Sequence, residues 1–276
     1  MSRPALGPRL IAAPGGTLRA ALVVPPTPAI EALAPLPGEP GAIFGRALEQ
    51  HQILVKTLQY FGVEVAVVEP AGDAPAAVAV ADLAVVFESG ACMMRPSNLA
   101  RFPEVERLEA FFADLDVPIL GHLAPPGFLD GSDVLLAGRT AFVGISRRSN
   151  ETGRAGFGAI ARSNGYDVVE VALAPEARSL RAVANVVAAG TVAISPNRVA
   201  AEAFDSFSTI EVDLGEEFSA GVLPLGERRV LAEMRFRTSL LAMQRRGIAV
   251  EAIDLYEFTK VGIVPSNLVL ALKRSG

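Results

Sequence analysis

The sequence predicts an α/β fold built from repeated strand–helix–strand units. Three segments share one pattern, in which a helical run ends at a glycine and a strand follows: Gly62 before VEVAVV, Gly165 before YDVVEV and Gly247 before IAVEAI. The helical runs that precede these glycines cover residues 42–60, 152–163 and 233–245. Alternating strands and helices are typical of one α/β domain. The pattern alone fits either a doubly wound sheet or a radial arrangement of units.

The first unit shows how the elements are predicted. Residues 18–24 (LRAALVV) form a candidate strand that ends at Pro25 and Pro26, and the Pro-, Gly- and Ala-rich residues 27–41 are predicted to be a loop. The run 42–60 then places its apolar residues near one helical face, and residues 63–68 form the next strand. Further short strands are predicted at 83–87, 140–145, 188–194 and 230–233. No linker interrupts the chain, so residues 1–276 are predicted to form one domain, with residues 1–16 as a flexible extension.

Composition excludes several classes of protein. The chain has 276 residues, 51% of them apolar, and a net charge of −5 without a dense Lys/Arg run, so a nucleic-acid partner is not expected. The apolar windows 76–87 and 182–195 are too short to span a bilayer, which predicts a cytoplasmic protein without a membrane partner. The excess of Arg over Lys is typical of a GC-rich bacterial coding sequence. A homodimer is compatible with these patterns.

Neither a cofactor nor a metal is predicted. The chain has no G-x-G-x-x-G loop after its first strand and no G-K-S/T phosphate loop. One cysteine and two well-separated histidines do not make a usual zinc site, and a single cysteine excludes an intramolecular disulfide. An all-carboxylate magnesium site around Asp82, Asp130 and Asp133 stays open, but no feature requires one.

Residues 127–150 carry the most informative motif. They read LDGSDVL at 129–135, FVG at 142–144 and SRRSN at 146–150. These pieces resemble the L-D/E-G-G-D-V-L turn, the F-V-G strand end and the S-x-R-T-N segment of the dimethylarginine dimethylaminohydrolases, guanidine-modifying enzymes of the pentein superfamily. Other segments, including Arg95-Pro96 and LYEFTK at 255–260, extend the resemblance over nearly the whole chain. The resemblance implies a five-bladed pentein-type α/β propeller with its site at the central opening.

The resemblance also assigns substrate-binding roles. Arg95 and Arg148 match two family arginines that hold the substrate's α-carboxylate, and guanidinium groups suit that task because they give bidentate hydrogen bonds. Arg147 would replace Arg148 if the register moved by one residue. Asp130 matches the acidic residue that grips the guanidinium. Asp82 matches another family acid and is expected either to face the site or to accept hydrogen bonds from backbone donors, because an unpaired carboxylate is costly to bury.

Three other residues are expected to support the site. Asp133 is predicted to order the turn or the groups behind the pocket. Ser179 falls where the family has its general-base histidine, and His122 is close enough in sequence to Asp130 to approach the pocket mouth.

The family's catalytic pair has no counterpart in the sequence. The nucleophilic cysteine falls at Ser266, and the two histidines, His51 and His122, lie elsewhere along the chain. Cys92 sits beside Met93 and Met94 and is interpreted as a packing residue. Because the family mechanism needs a thiolate and a proton-shuttling histidine, ordinary cysteine-dependent guanidine hydrolysis is not expected.

Three interpretations of function follow. The first is a divergent enzyme that acts non-covalently on an amino-acid-like or guanidino compound, with Asp130 or Asp82 as base. The second is an inactive relative that binds an amino acid or a partner protein. The third is a hydrolase that uses Ser266 as nucleophile, although serine needs an adjacent base to be activated.

Overall fold

The computed structural model describes residues 4–216 and 218–276 and shows five small three-stranded sheets. The strands are β1 (Thr17–Val23), β2 (Glu64–Val67), β3 (Ala84–Val86), β4 (Ala91–Met93), β5 (Ile119–His122), β6 (Val134–Ala137), β7 (Thr140–Ile145), β8 (Asp167–Ala172), β9 (Ala184–Ala188), β10 (Thr191–Ile194), β11 (Ser208–Glu211), β12 (Leu223–Gly226), β13 (Arg229–Glu233), β14 (Ala249–Ile253) and β15 (Leu270–Ser275). The α-helices are α1 (Phe44–Tyr60), α2 (Phe102–Asp114), α3 (Glu151–Ser163), α4 (Leu180–Val183), α5 (Arg237–Arg245) and α6 (Tyr256–Thr259).

Every sheet has the same internal plan. Its middle strand pairs antiparallel with one neighbour and parallel with the other, as β7 pairs antiparallel with β6 and parallel with β8. A crossover connects the middle strand to its parallel partner. This crossover contains an α-helix in four of the sheets, whereas the sheet β9–β10–β11 has only the short 3-10 turn Ala201–Phe204. Successive sheets contact one another around a ring, and this arrangement confirms the predicted pentein-type propeller.

The ring is closed by the two ends of the described chain. Strand β15 pairs antiparallel with β1, so that Thr17 lies opposite Ser275, and β1 pairs on its other side with β2. One sheet therefore combines the first two strands with the last.

The three glycines of the repeated pattern end their helices in the left-handed region. Gly62, Gly165 and Gly247 have φ angles of 74°, 77° and 75°. A residue without a Cβ adopts this conformation with little strain, which explains why glycine stands at the helix end. In the second unit Asp116 takes the equivalent left-handed conformation with φ of 53°, so the glycine pattern missed that unit.

Several predicted boundaries were wrong. The predicted strand 188–194 spans a hairpin turn, because Gly190 has φ of 68° and separates β9 from β10. Helix α5 begins at Arg237 rather than at residue 233, since Glu233 still belongs to β13. The segment 27–41 contains the 3-10 turn Pro28–Ala32.

The predicted N-terminal extension also differs from the structure, of which residues 1–3 lie outside the described part. Leu6, Leu10 and Ile11 are buried, and Leu10 donates its backbone N–H to the carbonyl of Glu88. These apolar side chains give the segment a packing surface, so residues 4–16 lie against the domain.

The apolar core is divided among the interfaces between sheets and helices. Phe142 on β7 is 1% exposed and packs against Phe204, with ring centroids 4.6 Å apart. Aromatic pairs at this separation add to the stabilisation from buried area. Within the described ranges, no helix has both the length and the apolar character to cross a membrane.

We expect Phe142→Ala to lower the free energy of unfolding by about 3–5 kcal/mol, because it leaves a cavity between the third and fourth sheets. Tyr60→Ala is the control, since Tyr60 is 84% exposed and its loss should change stability by less than about 0.5 kcal/mol. Denaturant unfolding of both variants measures the difference. Equal midpoints would contradict the assigned packing role of Phe142.

Candidate functional site

Short turns that lead into four of the five sheets meet at one cavity of about 260 Å³. Three of them are 3-10 turns: Val80–Asp82 before β3, Gly131–Asp133 before β6 and Pro265–Asn267 before β15. The fourth is the single helical turn α4 (Leu180–Val183), which precedes β9. Asp82, Asp130, Ser179 and Asn267 lie in or beside these turns and line the cavity. The repeated fold thus brings residues far apart in sequence to one central place.

The turns approach one another closely. A Cβ on Gly131 would lie 2.2 Å from the carbonyl oxygen of Ala81, so this position requires glycine. Gly221 has a similar constraint, because its Cβ would lie 2.4 Å from Cβ of Val264. The G-S-D turn is therefore placed directly against the turn that holds Asp82.

Arg101 precedes α2, and each nitrogen of its buried guanidinium donates a hydrogen bond to another group of the protein. Its Nη1 lies 2.7 Å from Oδ2 of Asp82, and its Nε and Nη2 donate to both carboxylate oxygens of Glu104, at 3.0 and 2.9 Å. Nη2 also donates to the carbonyls of Ala76 and Ala79, at 3.2 and 3.1 Å. This bidentate geometry is the strong form of an Arg–carboxylate pair.

This pairing keeps Asp82 ionised. Burial disfavours the charged carboxylate, but the positive charges of Arg101 and Arg148 outweigh it and lower the pKa of Asp82. Asp82 lies on the cavity wall.

Arg148 follows β7 and connects the two aspartates. Its Nη1 lies 3.0 Å from Oδ2 of Asp130 and 3.4 Å from Oδ2 of Asp82. Oδ1 of Asp130 accepts the backbone N–H of Ser97 at 2.7 Å. Burial and the negative charge of Asp82 raise the pKa of Asp130, so this carboxyl takes up a proton more readily than Asp82. Arg148, rather than the exposed Arg147, lines the cavity.

Asp133 lies behind the cavity wall and organises two segments. Its Oδ1 accepts the backbone N–H of Leu180 at 2.8 Å, and its Oδ2 accepts the hydroxyl of Ser146, which itself accepts the N–H of Arg148. Burial raises the pKa of Asp133 to about 7. These contacts connect the G-S-D turn to the start of α4 and to the backbone at Arg148.

Arg95 and His122, which were predicted to lie at the site, are outside the cavity lining. Arg95 stacks on the ring of Phe102, with its guanidinium carbon 4.9 Å from the centroid, and donates to the carbonyl of Gly127 at 3.2 Å. His122 is exposed on β5 and pairs with Glu109 at 3.0 Å. Arg95 is thus occupied by an aromatic ring and a carbonyl, and His122 by a surface carboxylate.

Cys92, His51 and Ser266 also lie outside the cavity lining. Cys92 is buried in β4, where burial raises the pKa of its thiol to about 12. His51 is buried on α1, and burial lowers its pKa to about 4. Ser266 is fully buried, and its hydroxyl donates to the carbonyl of Arg181 at 3.3 Å while its neighbour Asn267 faces the cavity.

The cavity-lining residues to which sequence reasoning gave no role include Arg101, Arg178 and Asn267. Arg101 and Glu104 are three positions apart at a helix start, a spacing that brings the two side chains together and was the available signal. Arg178 is next to Ser179, and Asn267 is next to Ser266. The family motifs therefore pointed to the correct segments, but to the neighbouring side chains.

The pH dependence of stability should reveal Asp133. Its pKa is raised from 3.8 to about 7 in the folded protein, so the stability that it contributes is full below the unfolded pKa and is lost as pH rises through 7. We therefore expect Asp133→Asn to become more stable relative to wild type between about pH 5 and about pH 8. Denaturant unfolding at several pH values measures this difference, and Asp167→Asn, at an exposed position, is the control. A constant difference between Asp133→Asn and wild type would contradict the raised pKa.

The chain is similar in sequence to known proteins, although no family model matches it. It is 30% identical over 217 residues to a dimethylarginine dimethylaminohydrolase of Streptomyces coelicolor, a match that covers 79% of this chain and 82% of that protein. A dimethylarginine dimethylaminohydrolase of Pseudomonas aeruginosa is 25% identical over 223 residues, covering 79% of this chain and 85% of the relative.

A solved structure supports the same fold. A histidine-to-glycine variant of a dimethylarginine dimethylaminohydrolase, determined as an adduct with S-methyl-L-thiocitrulline, superposes with a TM-score of 0.85 at 21% identity. The superposition covers 92% of this chain and 99% of that structure. With the identity and coverage of the Streptomyces relative, these findings show that the chain belongs to the dimethylarginine dimethylaminohydrolase family of penteins.

Proposed function

We propose that this protein binds an amino-acid-like or guanidino compound in the central cavity and acts on it without a covalent intermediate. The observation that carries the proposal is the cluster of Asp82, Asp130 and Arg148 on one cavity wall, while Cys92 and both histidines lie elsewhere. The related protein that forms an adduct with S-methyl-L-thiocitrulline supports a ligand of this class.

Arg148 is the proposed contact for the ligand's α-carboxylate. It is one-third exposed, so one side of its guanidinium remains accessible while Asp130 and Asp82 hold the other. A planar guanidinium suits a carboxylate because it can donate two parallel hydrogen bonds. Arg95 shares this role in the sequence-based hypothesis, and its contact with the ring of Phe102 supports Arg148 as the main clamp.

Asp130 is the proposed base. Burial and the neighbouring Asp82 charge raise its pKa, which makes Asp130 a stronger base than Asp82. Asp82 is a weaker candidate, since its Oδ2 is paired with Arg101 and its pKa is lowered. Ser179, which lines the cavity next to α4, would help to position the ligand.

The second candidate function is an inactive relative that binds an amino acid or a partner protein. It is favoured by the pairing of each cavity aspartate with an arginine of the same chain. Asp130→Asn separates the two candidates, because an enzyme should lose turnover while remaining folded, whereas a binding protein should keep its ligand or partner.

The first test is thermal stability with arginine, methylated arginines, citrulline and ornithine. A ligand at 100 times its dissociation constant should add about 2.7 kcal/mol to the free energy of unfolding, and Arg148→Ala should remove the effect. Arg147→Ala is the matched control, since it deletes the adjacent exposed guanidinium. The proposal fails if no member of an amino-acid and guanidino panel stabilises the wild-type protein.

Ser266→Ala tests the serine-dependent alternative. Because the Ser266 hydroxyl is fully buried and bonded to the Arg181 carbonyl, we expect any turnover found with the panel to be retained in the variant. A loss of turnover of about a hundredfold or more, without loss of folding, would instead assign a catalytic role to this serine.

A further inference from the structure

The cavity contains a hydrogen-bond donor whose direction is fixed by the fold. Asn267 is 5% exposed, and its Oδ1 accepts the backbone N–H of Val264 at 3.1 Å. This bond fixes the orientation of the side-chain amide. Its Nδ2 is therefore left buried without a hydrogen-bond partner among the described residues. Burying an unpaired donor is unfavourable, so a ligand acceptor that pairs with it at this point would be stabilising.

A guanidinium without a carboxylate partner among the described residues lines the same cavity. Arg178 is half-buried, lines the cavity with Asn267 and, within the described residues, has no ion pair to a carboxylate. Its side chain lies over Gly262, where a Cβ would come within 2.9 Å of Nε, and the φ of 78° at this glycine also favours a residue without a side chain. The absence of a side chain at Gly262, shortly before the turn that carries Asn267, therefore leaves space for Arg178.

The charges around the cavity make this side receptive to an anion. Asp82 and Asp130 are already paired with Arg101 and Arg148. Burial and the like charge of Arg148 lower the pKa of Arg178, and no carboxylate of the described residues forms an ion pair with it. A second cation, such as a ligand guanidinium, would be repelled here, whereas a carboxylate would pair with Arg178 and accept from Asn267 Nδ2.

We infer that Arg178 and Asn267 form a subsite for a carboxylate group of the ligand. The inference rests on the proposed amino-acid pocket and narrows its ligand to an amino-acid-like compound with a second, side-chain carboxylate. Arg148 binds one carboxylate, and the Arg178–Asn267 subsite binds the other.

Two pairs of ligands that differ by one charge test the inference. Calorimetric titration should show that glutamate or aspartate binds the wild-type protein at least about tenfold more tightly than glutamine or asparagine, because an extra charge-assisted hydrogen bond is worth about 1.5–3 kcal/mol. Arg178→Ala should weaken binding of the acid while leaving the amide unchanged. If each amide binds as tightly as its acid, the inference is overturned.

Asn267→Asp is the second variant. It has the same size as asparagine and keeps the acceptor for Val264 N–H, but it replaces the free donor with a negative charge, so binding of the acid should be lost. Arg147→Ala, at an exposed position, removes the same kind of charge outside the cavity and should leave the preference intact. Circular dichroism of all three variants checks folding.

Succinate, which lacks an amino group, separates this inference from the proposed function. Stabilisation by succinate that disappears in Arg178→Ala supports the subsite even if no amino acid binds. If citrulline or arginine binds but the acids and succinate do not, the subsite is wrong and the broader proposal stands. If no carboxylate probe binds, the subsite is rejected as well.

Discussion

The centre of the structure depends on a buried network of guanidinium and carboxylate groups. Asp82 and Glu104 hold Arg101, while Asp130 and Asp82 share Arg148, so the second and third sheets are connected by charge at the point where their entry turns meet. Removing water from such groups is costly, and the cost is offset only when the partners are complete and well oriented. The pairing therefore holds the cavity walls of these two sheets next to one another.

Much of the fold could be predicted from local patterns. Gly62, Gly165 and Gly247 marked three helix ends because left-handed backbone favours glycine. The second unit uses Asp116 at the same point, and the fourth replaces its crossover helix with the short turn Ala201–Phe204, so neither matched the pattern. A local signal could not show how many units close the ring, and the resemblance to a known family supplied that number.

The candidate site was predicted in part, for a similar reason. Motif matching found Asp82, Asp130 and Arg148, all of which line the cavity. It also suggested Arg95, whose side chain is directed by the ring of Phe102, a tertiary contact that no spacing reveals. Arg101 escaped notice because a basic residue at a helix start is ordinarily solvated, and only the three-dimensional approach of Asp82 makes it buried.

The pairing of β1 with β15 sets an order on folding during synthesis. Arg19 Nε donates to the Ser275 hydroxyl across 256 positions of sequence, and the strands around this contact complete the sheet that also contains β2. As the chain leaves the ribosome, β1 and β2 must therefore wait, with one edge unpaired, until almost the whole domain has been made. Contacts of such long range slow folding, and the exposed strand edge of the waiting unit is a site at which nascent chains can associate.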